Sequence, residues 1–285
     1  MENINWYPGH MAKTKRLIKE MMGVIDIIYE VVDARIPFSS KINDLDEYIK
    51  NKPKILIMTK MDLCDLEETE KWVNYYEKQN YKVIMVDLLN NNNIDMIIKT
   101  TNQLLTPLRL KPGLQKRPIR GLVIGIPNVG KSTLINRLAG SKKTKVANQP
   151  GITKGLDWYK INEYLYLVDS PGLLWPKLEN NNSTYNLCAL MAIKQELIPT
   201  MDISTYILQF LIQYYPESLK ERYQINDINN EDILITYDVI GKKRGCLIKG
   251  GEVNYEQVSL LIIKDLNEGK LGLITLDQYK KEDLS

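Results

Sequence analysis

The sequence predicts an α/β fold, a mostly parallel sheet with helices on both faces, followed by an all-α unit. Three observations carry this. Short β-branched apolar runs alternate with helical periodicity up to about residue 178. Beyond that point only helical periodicity continues. Near the middle of the chain a glycine-rich turn joins one apolar run to one helical run, the junction at which such sheets bind anions.

The runs IDIIYEVVD (25–33), KILIMT (54–59), YKVIMVD (81–87), IRGLVIGI (119–126) and YLYLVDS (164–170) read as buried parallel strands, because they are apolar along both faces. DLEETEKWVNYYEKQ has helical spacing between them, and KSTLINRLAG reads as a helix closing on Gly140. TPLRLKPGLQKRPIR (106–120), rich in Pro, Gly and positive charge, reads as a linker between two halves of one sheet. After LLWPKLENNNS, the segments STYNLCALMAIKQEL, DISTYILQFLIQYYPESLKERY and YEQVSLLIIKDLNEGK are helical in period. Residues 1–178 are therefore expected to form the α/β domain, with a basic helix at its N-terminus, and residues 179–285 a separate helical domain. Asparagine runs at 90–93 and 180–182 mark exposed loops.

Composition narrows the class. With 44% hydrophobic and 26% charged residues the chain has the balance of a soluble globular protein. No apolar run approaches the ~18 residues of a bilayer span, and MENINWYPGHMAKTKR lacks the apolar stretch of a signal peptide, so a cytoplasmic protein without a membrane partner is expected. Cys64, Cys188 and Cys246 are too far apart for a metal or disulfide framework and read as reduced thiols. A net charge of +3 does not by itself demand a nucleic-acid partner.

Gly125 to Ser132 fits G-x-x-x-x-G-K-[ST] after a strand and before a helix. Gly125 and Gly130 let the backbone of the loop, including Asn128 and Val129, surround phosphates; Lys131 supplies a cation to the β- and γ-phosphates, Ser132 a hydroxyl for Mg²⁺, and Thr133 an α-phosphate contact. LVDSPG adds Asp169 at a strand end, suited to Mg²⁺, and Gly172, whose amide can meet the γ-phosphate. Thr153 in QPGITKG is the candidate switch hydroxyl on the metal. In IMTKMD, Asp62 can accept two hydrogen bonds from guanine that adenine does not offer, and the Lys60 stem can cover the purine. That points to GTP and GDP.

The order T-K-M-D, G-I-P-N-V-G-K-S-T, P-G-I-T, D-S-P-G is the motif order of circularly permuted GTPases. With NWYPGHMAK, DARIPFSSK (33–41), DSPGLLWPK and GKKRGCLIKGG, nearly the whole chain resembles the RbgA (YlqF) family of large-ribosomal-subunit assembly GTPases. The resemblance implies a circularly permuted P-loop GTPase domain before an all-α, RNA-contacting domain, hydrolysis of GTP stimulated by the large subunit, and the subunit precursor with its rRNA as partner of a monomer. It implies that His10, the chain's one histidine, is catalytic beside Lys131 and Gly172, and that Asn128 helps hold K⁺. Leu173 stands where many GTPases carry a water-orienting Gln. Two positions depart from the usual motifs. Thr59 replaces the common Asn of the base motif, with loss of an amide tie expected, and VDLLN places Asp87 and Leu88 where Ser-Ala usually contacts guanine.

Lys13, Lys15, Arg16 and Lys19 gather on one short helix, and Lys242, Lys243, Arg244 and Lys249 gather among glycines; both clusters can neutralise RNA phosphates. A solvated basic face is the plainer reading of each. A GTP-gated RNA-binding scaffold remains an alternative to a ribosome-triggered enzyme, favoured by Leu173, while Asp62 and the lack of an obvious lid disfavour a P-loop kinase.

Overall fold

The computed structural model describes residues 16–42, 49, 52–109, 117–140, 144–146, 157–172, 182–193, 198–225 and 232–280. In chain order the elements are β1 (Ile27–Asp33), β2 (Lys54–Thr59), α1 (Leu66–Lys78), β3 (Lys82–Met85), α2 (Ile94–Arg109), β4 (Ile119–Gly125), α3 (Lys131–Ala139), β5 (Thr144–Val146), β6 (Trp158–Lys160) and β7 (Leu165–Asp169). Then follow α4 (Asn182–Ala189), α5 (Thr200–Tyr214), α6 (Pro216–Tyr223), α7 (Ile233–Arg244) and α8 (Tyr255–Asn267).

All seven strands form one sheet in the order β3-β2-β1-β4-β7-β6-β5. The first five in that order run parallel, and β6 and β5 are antiparallel additions at the edge. The five strands expected from apolar runs are present. β5 and β6 are additional, and at three residues each they are too short to show a period of two. Alternation along β1 divides the faces. Ile27, Tyr29 and Val31 face the cluster containing Ile97 and Leu105 of α2 and Leu134 and Ile135 of α3, whereas Ile28 meets Ile18 and Met21 of the helical residues 16–21, and Val32 meets Trp72 and Tyr76 of α1. Both faces are thus covered, as continuous apolar strands require.

Local signals set the helix limits. Asp65 caps α1 by accepting from the Glu68 amide at 3.2 Å, and Gly140 ends α3. The linker expected over 106–120 is shorter than that range, because α2 continues through Arg109; residues 110–116 lie outside the described set. DISTYILQFLIQYYPESLKERY is two helices, since Pro216 has no amide to continue α5 and instead opens α6. α4 stops at Ala189, short of the expected span. α7 shows no apolar stripe because its Ile, Leu and Val residues lie all round it, and its start is marked only by Asp232, which accepts from the Leu234 amide at 2.9 Å.

The helical segment expected as separate shares its apolar cluster with the sheet, from Ile27 and Val31 through Ile203 and Leu208 of α5 to Ile262 of α8 and Leu276. The chain after α8 returns along the sheet end: the Ile274 amide donates to Leu63 O at 3.1 Å and the Leu276 amide to Arg35 O at 2.7 Å. Asp277 fastens this return. Its carboxylate accepts from the amides of Phe38 (2.8 Å) and Ser39 (2.7 Å), the Ser39 hydroxyl (2.5 Å) and Asn186 Nδ2 (2.8 Å). The expected domain boundary at 178/179 lies outside the described residues. Among the described residues no helix is long and apolar enough to cross a membrane, and the three cysteines are unbonded.

Asp277→Ala leaves four buried or part-buried donors without their acceptor. Unfolding in urea is expected to give a stability loss of about 3 kcal/mol or more, at ~1–3 kcal/mol for each unsatisfied donor.

Candidate functional site

The site forms where β1, β2, β4 and β7 end together. Val31 pairs with Gly125, and a Cβ at Gly125 would lie 2.3 Å from Val31 O, so only glycine lets β4 turn into the loop this close to β1. The loop then enters α3 at Lys131, which is 8% exposed and donates from Nζ to Gly125 O (3.0 Å) and Ile126 O (2.8 Å). Burial lowers the Lys131 pKa to about 8 against the opposing pull of Asp169. The ammonium is therefore poised to exchange two carbonyls for phosphate oxygens.

Ser132 Oγ donates to Asp169 Oδ2 at 2.6 Å, while Asp169 Oδ1 is buried with no partner among the described residues. A serine hydroxyl beside an unfilled carboxylate oxygen is a hard-oxygen donor set, and it fits Mg²⁺. Asp169 and Lys131 share a cavity of about 420 Å³ with Ser132, Gly172, Asp157 and Tyr159. Gly172 packs directly on the loop, where a Cβ would lie 2.7–2.9 Å from Pro127 atoms. Asp157 and Tyr159 belong to the β6 edge and had no signal in the sequence beyond their place before a missed strand.

A second cavity, about 290 Å³, is lined by Lys60, Asp62 and Leu88 from the base side and by Asn128, Val129, Gly130 and Thr133 from the phosphate loop. Lys60 takes the left-handed conformation (φ 59°) and its Nζ pairs with Asp33 Oδ2 at 2.8 Å. Arg35 clasps the same carboxylate, Nε to Oδ1 at 3.0 Å and Nη2 to Oδ2 at 2.9 Å. Burial alone would raise the Asp33 pKa, but Arg35 and Lys60 outweigh it and hold the carboxyl well below the usual range. Asp62 goes the other way: burial, with the Asp87 charge nearby, raises its pKa.

The expected loss of a tie at Thr59 does not occur. Thr59 is fully buried and its Oγ1 lies 2.6 Å from Val129 O and 3.1 Å from Val32 O, so a hydroxyl joins the base strand to the phosphate loop. Thr59 itself lines neither cavity. The Asp87 carboxylate is committed to its own turn, accepting from the amides of Leu89 (2.8 Å) and Asn90 (3.0 Å) and from Asn90 Nδ2 (2.6 Å). These bonds outweigh burial and lower its pKa. It shapes the loop that presents Leu88 to the cavity. Asn128 (φ 61°) donates from Nδ2 to Met191 O at 2.7 Å, and its Oδ1 has no partner among the described residues. Arg35, from the DARIPFSSK stretch, and Asn267, which carried no motif signal, also line this cavity.

The basic clusters divide. Lys19, Lys242 and Lys249 are exposed, and Arg16 pairs with Glu20 at 2.8 Å. Lys243 and Arg244 are exposed as well, and they also donate to the carbonyls of Gln224 and Arg222 at the end of α6. His10, Lys13, Lys15, Thr153 and Leu173 lie outside the described residues. No cluster of three metal-ligating side chains occurs among the described residues.

The family described as RsgA GTPase matches residues 45–179, and that described as 50S ribosome-binding GTPase matches residues 120–239. The chain is similar to ribosome biogenesis GTPase A of Priestia megaterium, 42% identical with 96% of each chain covered. It is similar to the Thermotoga maritima protein of the same name at 28% identity, over 99% of this chain and 96% of that one. Among solved structures, GNP-bound YlqF from T. maritima matches with a TM-score of 0.64 at 25% identity, covering 94% of this chain and all of that one.

Thr59→Val keeps the shape and removes the hydroxyl. Stability is expected to fall by about 1 kcal/mol in urea, and fluorescent-GDP titration should show weaker binding as the loop loosens. Lys131 predicts two opposite pH effects. Between pH 8 and its unperturbed value of 10.5 the unfolded chain holds this proton and the folded one does not, so its contribution to nucleotide-free stability rises with pH. GDP affinity, which needs the ammonium, should fall several-fold from pH 7 to pH 9. A flat affinity over that range would show that Lys131 keeps its proton.

Proposed function

This chain belongs to the ribosome biogenesis GTPase A family, and from that premise we propose that it docks on the large-subunit precursor in its GTP form and leaves after hydrolysis. It does so in the cytoplasm, as a monomer. The observation that supports this most is one cavity in which Asp62 and Lys60 face the phosphate-loop residues Asn128, Gly130 and Thr133. The description of the family matching residues 120–239 as 50S ribosome-binding favours the large subunit.

Each residue then has a chemical role. Asp62 accepts from the guanine ring NH and amine, and the Lys60 stem, held by Asp33, covers the purine. The Gly125–Gly130 loop amides, with Val129 tied by Thr59, surround the phosphates, and Lys131 and the Gly172 amide meet the γ-phosphate. Ser132, Asp169 and Thr153 would hold Mg²⁺, which would draw charge from the phosphate oxygens. Asn128 Oδ1, without a partner among the described residues while Nδ2 is fixed on Met191, would hold K⁺, which would offset charge on the phosphates. Leu173 offers no hydrogen bond to the attacking water, so that role goes to His10. Lys13, Lys15, Arg16 and Lys19, together with Lys242 and Lys249, meet rRNA phosphates, while Lys243 and Arg244 tie α7 to the end of α6.

The GTP-gated scaffold is the second reading, because Leu173 favours slow intrinsic turnover. Steady-state turnover in K⁺ buffer separates the two. A rise of about tenfold with purified large subunits, ~1.4 kcal/mol of barrier, is expected for the enzyme and should vanish in His10→Ala. Unchanged turnover with particle binding intact selects the scaffold. Asp62→Asn replaces an acceptor by a donor, and competition binding should show a switch from GDP to xanthosine diphosphate; retained guanine preference would remove Asp62 from base recognition.

A further inference from the structure

A cleft of about 450 Å³ lies between the loop after β1, the exposed side of α5 and the returning tail, and it shares no lining residue with either nucleotide cavity. Its walls are aromatic. Phe38 is 38% exposed and stacks on Trp72 at 5.5 Å with 29° between the planes, which leaves its other face open. Phe210 and Tyr214 also line the cleft, with ring centroids 4.8 Å apart. Leu276 is the one aliphatic side chain among the described lining residues.

Among the polar lining groups, Gln278 is engaged with Thr275 O (2.6 Å) and the Tyr215 hydroxyl (3.3 Å), and the Asp277 carboxylate with the donors given above. Asn186 is fully used, donating to Asp277 Oδ1 at 2.8 Å and accepting from the Tyr206 hydroxyl at 2.8 Å, so it stiffens the floor and offers nothing to a ligand. Gln209 and Gln213 are one turn apart on α5, exposed, and make no side-chain hydrogen bond to any described residue. Lys280 stands in the same lining with no ion pair among the described residues.

An aliphatic peptide anchor finds little to fill here, whereas a flat heteroaromatic ring finds a face to stack on and amides at its edge. Stacking on an aromatic is worth ~1–3 kcal/mol per base, and a glutamine amide presents donor and acceptor together, matching adenine at N6 and N7. We propose that this cleft binds an unpaired nucleobase of single-stranded RNA, adenine by preference, stacked on Phe38 and read by Gln209 and Gln213, with Lys280 on the adjoining phosphate. The inference rests on the reading of the chain as a ribosome-assembly factor and names how RNA sequence enters its recognition.

The test is fluorescence anisotropy of labelled single-stranded oligoadenylate and oligouridylate on the full chain, over a salt series. The wild type is expected to prefer oligoadenylate. Gln209→Ala combined with Gln213→Ala changes only exposed side chains, and it should weaken oligoadenylate binding about tenfold with the salt slope unchanged, because no phosphate contact is lost. Lys280→Ala should weaken both sequences and lower the slope by about one. The proposal is overturned if the wild type does not distinguish the two RNAs, if the glutamine variant binds as the wild type does, or if its loss comes with a lower slope. It is equally overturned if the variant keeps RNA binding and loses a ribosomal-protein contact instead. Co-sedimentation of the same preparations with large-subunit particles keeps the two readings apart: wild-type co-sedimentation without RNA discrimination sinks the cleft alone, and absent co-sedimentation sinks the assembly role.

Discussion

Strand β1 carries no nucleotide motif, yet it sits in parallel register between the two strands that do. Asp33 pairs with Thr59 at the end of β2, and Val31 pairs with Gly125 at the end of β4. Because parallel neighbours in a sheet are held ~4.8 Å apart, these two registers bring the base motif and the phosphate loop to one edge although more than sixty positions of sequence separate them. The Thr59 hydroxyl on Val129 O is possible only in that register.

The same strand end carries the charge that holds the base side together. A buried carboxylate is costly unless paired and hydrogen-bonded. Asp33 is paired twice, by a bidentate guanidinium and by the Lys60 ammonium, so Lys60 has a fixed place in an otherwise unfavourable left-handed conformation. Arg35 is in turn bound at its backbone oxygen by the Leu276 amide, and its Nη1 lies 3.5 Å from Leu266 O at the end of α8. The cavity lined by Lys60 and Asp62 and the helical segment therefore share a structural member.

A second link runs from the phosphate side. Asn128 holds Met191 O, and Met191 follows α4 in a left-handed conformation that aims the carbonyl at the loop. Asn267, which lines the base cavity, holds the α4 terminus through Ala189 O at 2.7 Å. The helical segment thus meets the phosphate-loop region by direct hydrogen bonds. A change of state at the loop has short physical routes into α4 and α8.

Much of this protein was determined by its sequence alone. Five strands, the helix limits at Asp65 and Gly140, the phosphate loop with its Lys131–Ser132 helix start, and the carboxylate after β2 are legible because period, capping and motif spacing are properties of contiguous residues. Tertiary structure decided the rest. It added β5 and β6, whose existence depends on pairing with β7, and it kept the base strand tied to the loop through a threonine in place of an asparagine. It turned the Asp87 carboxylate inward, drew Lys243 and Arg244 onto α6 carbonyls, and joined the expected helical domain to the sheet through one apolar cluster and Asp277. The physical reason is common to all of these: a hydrogen-bond partner distant in sequence exists only once the strands have paired and the helices have packed, and no local pattern records which one it will be.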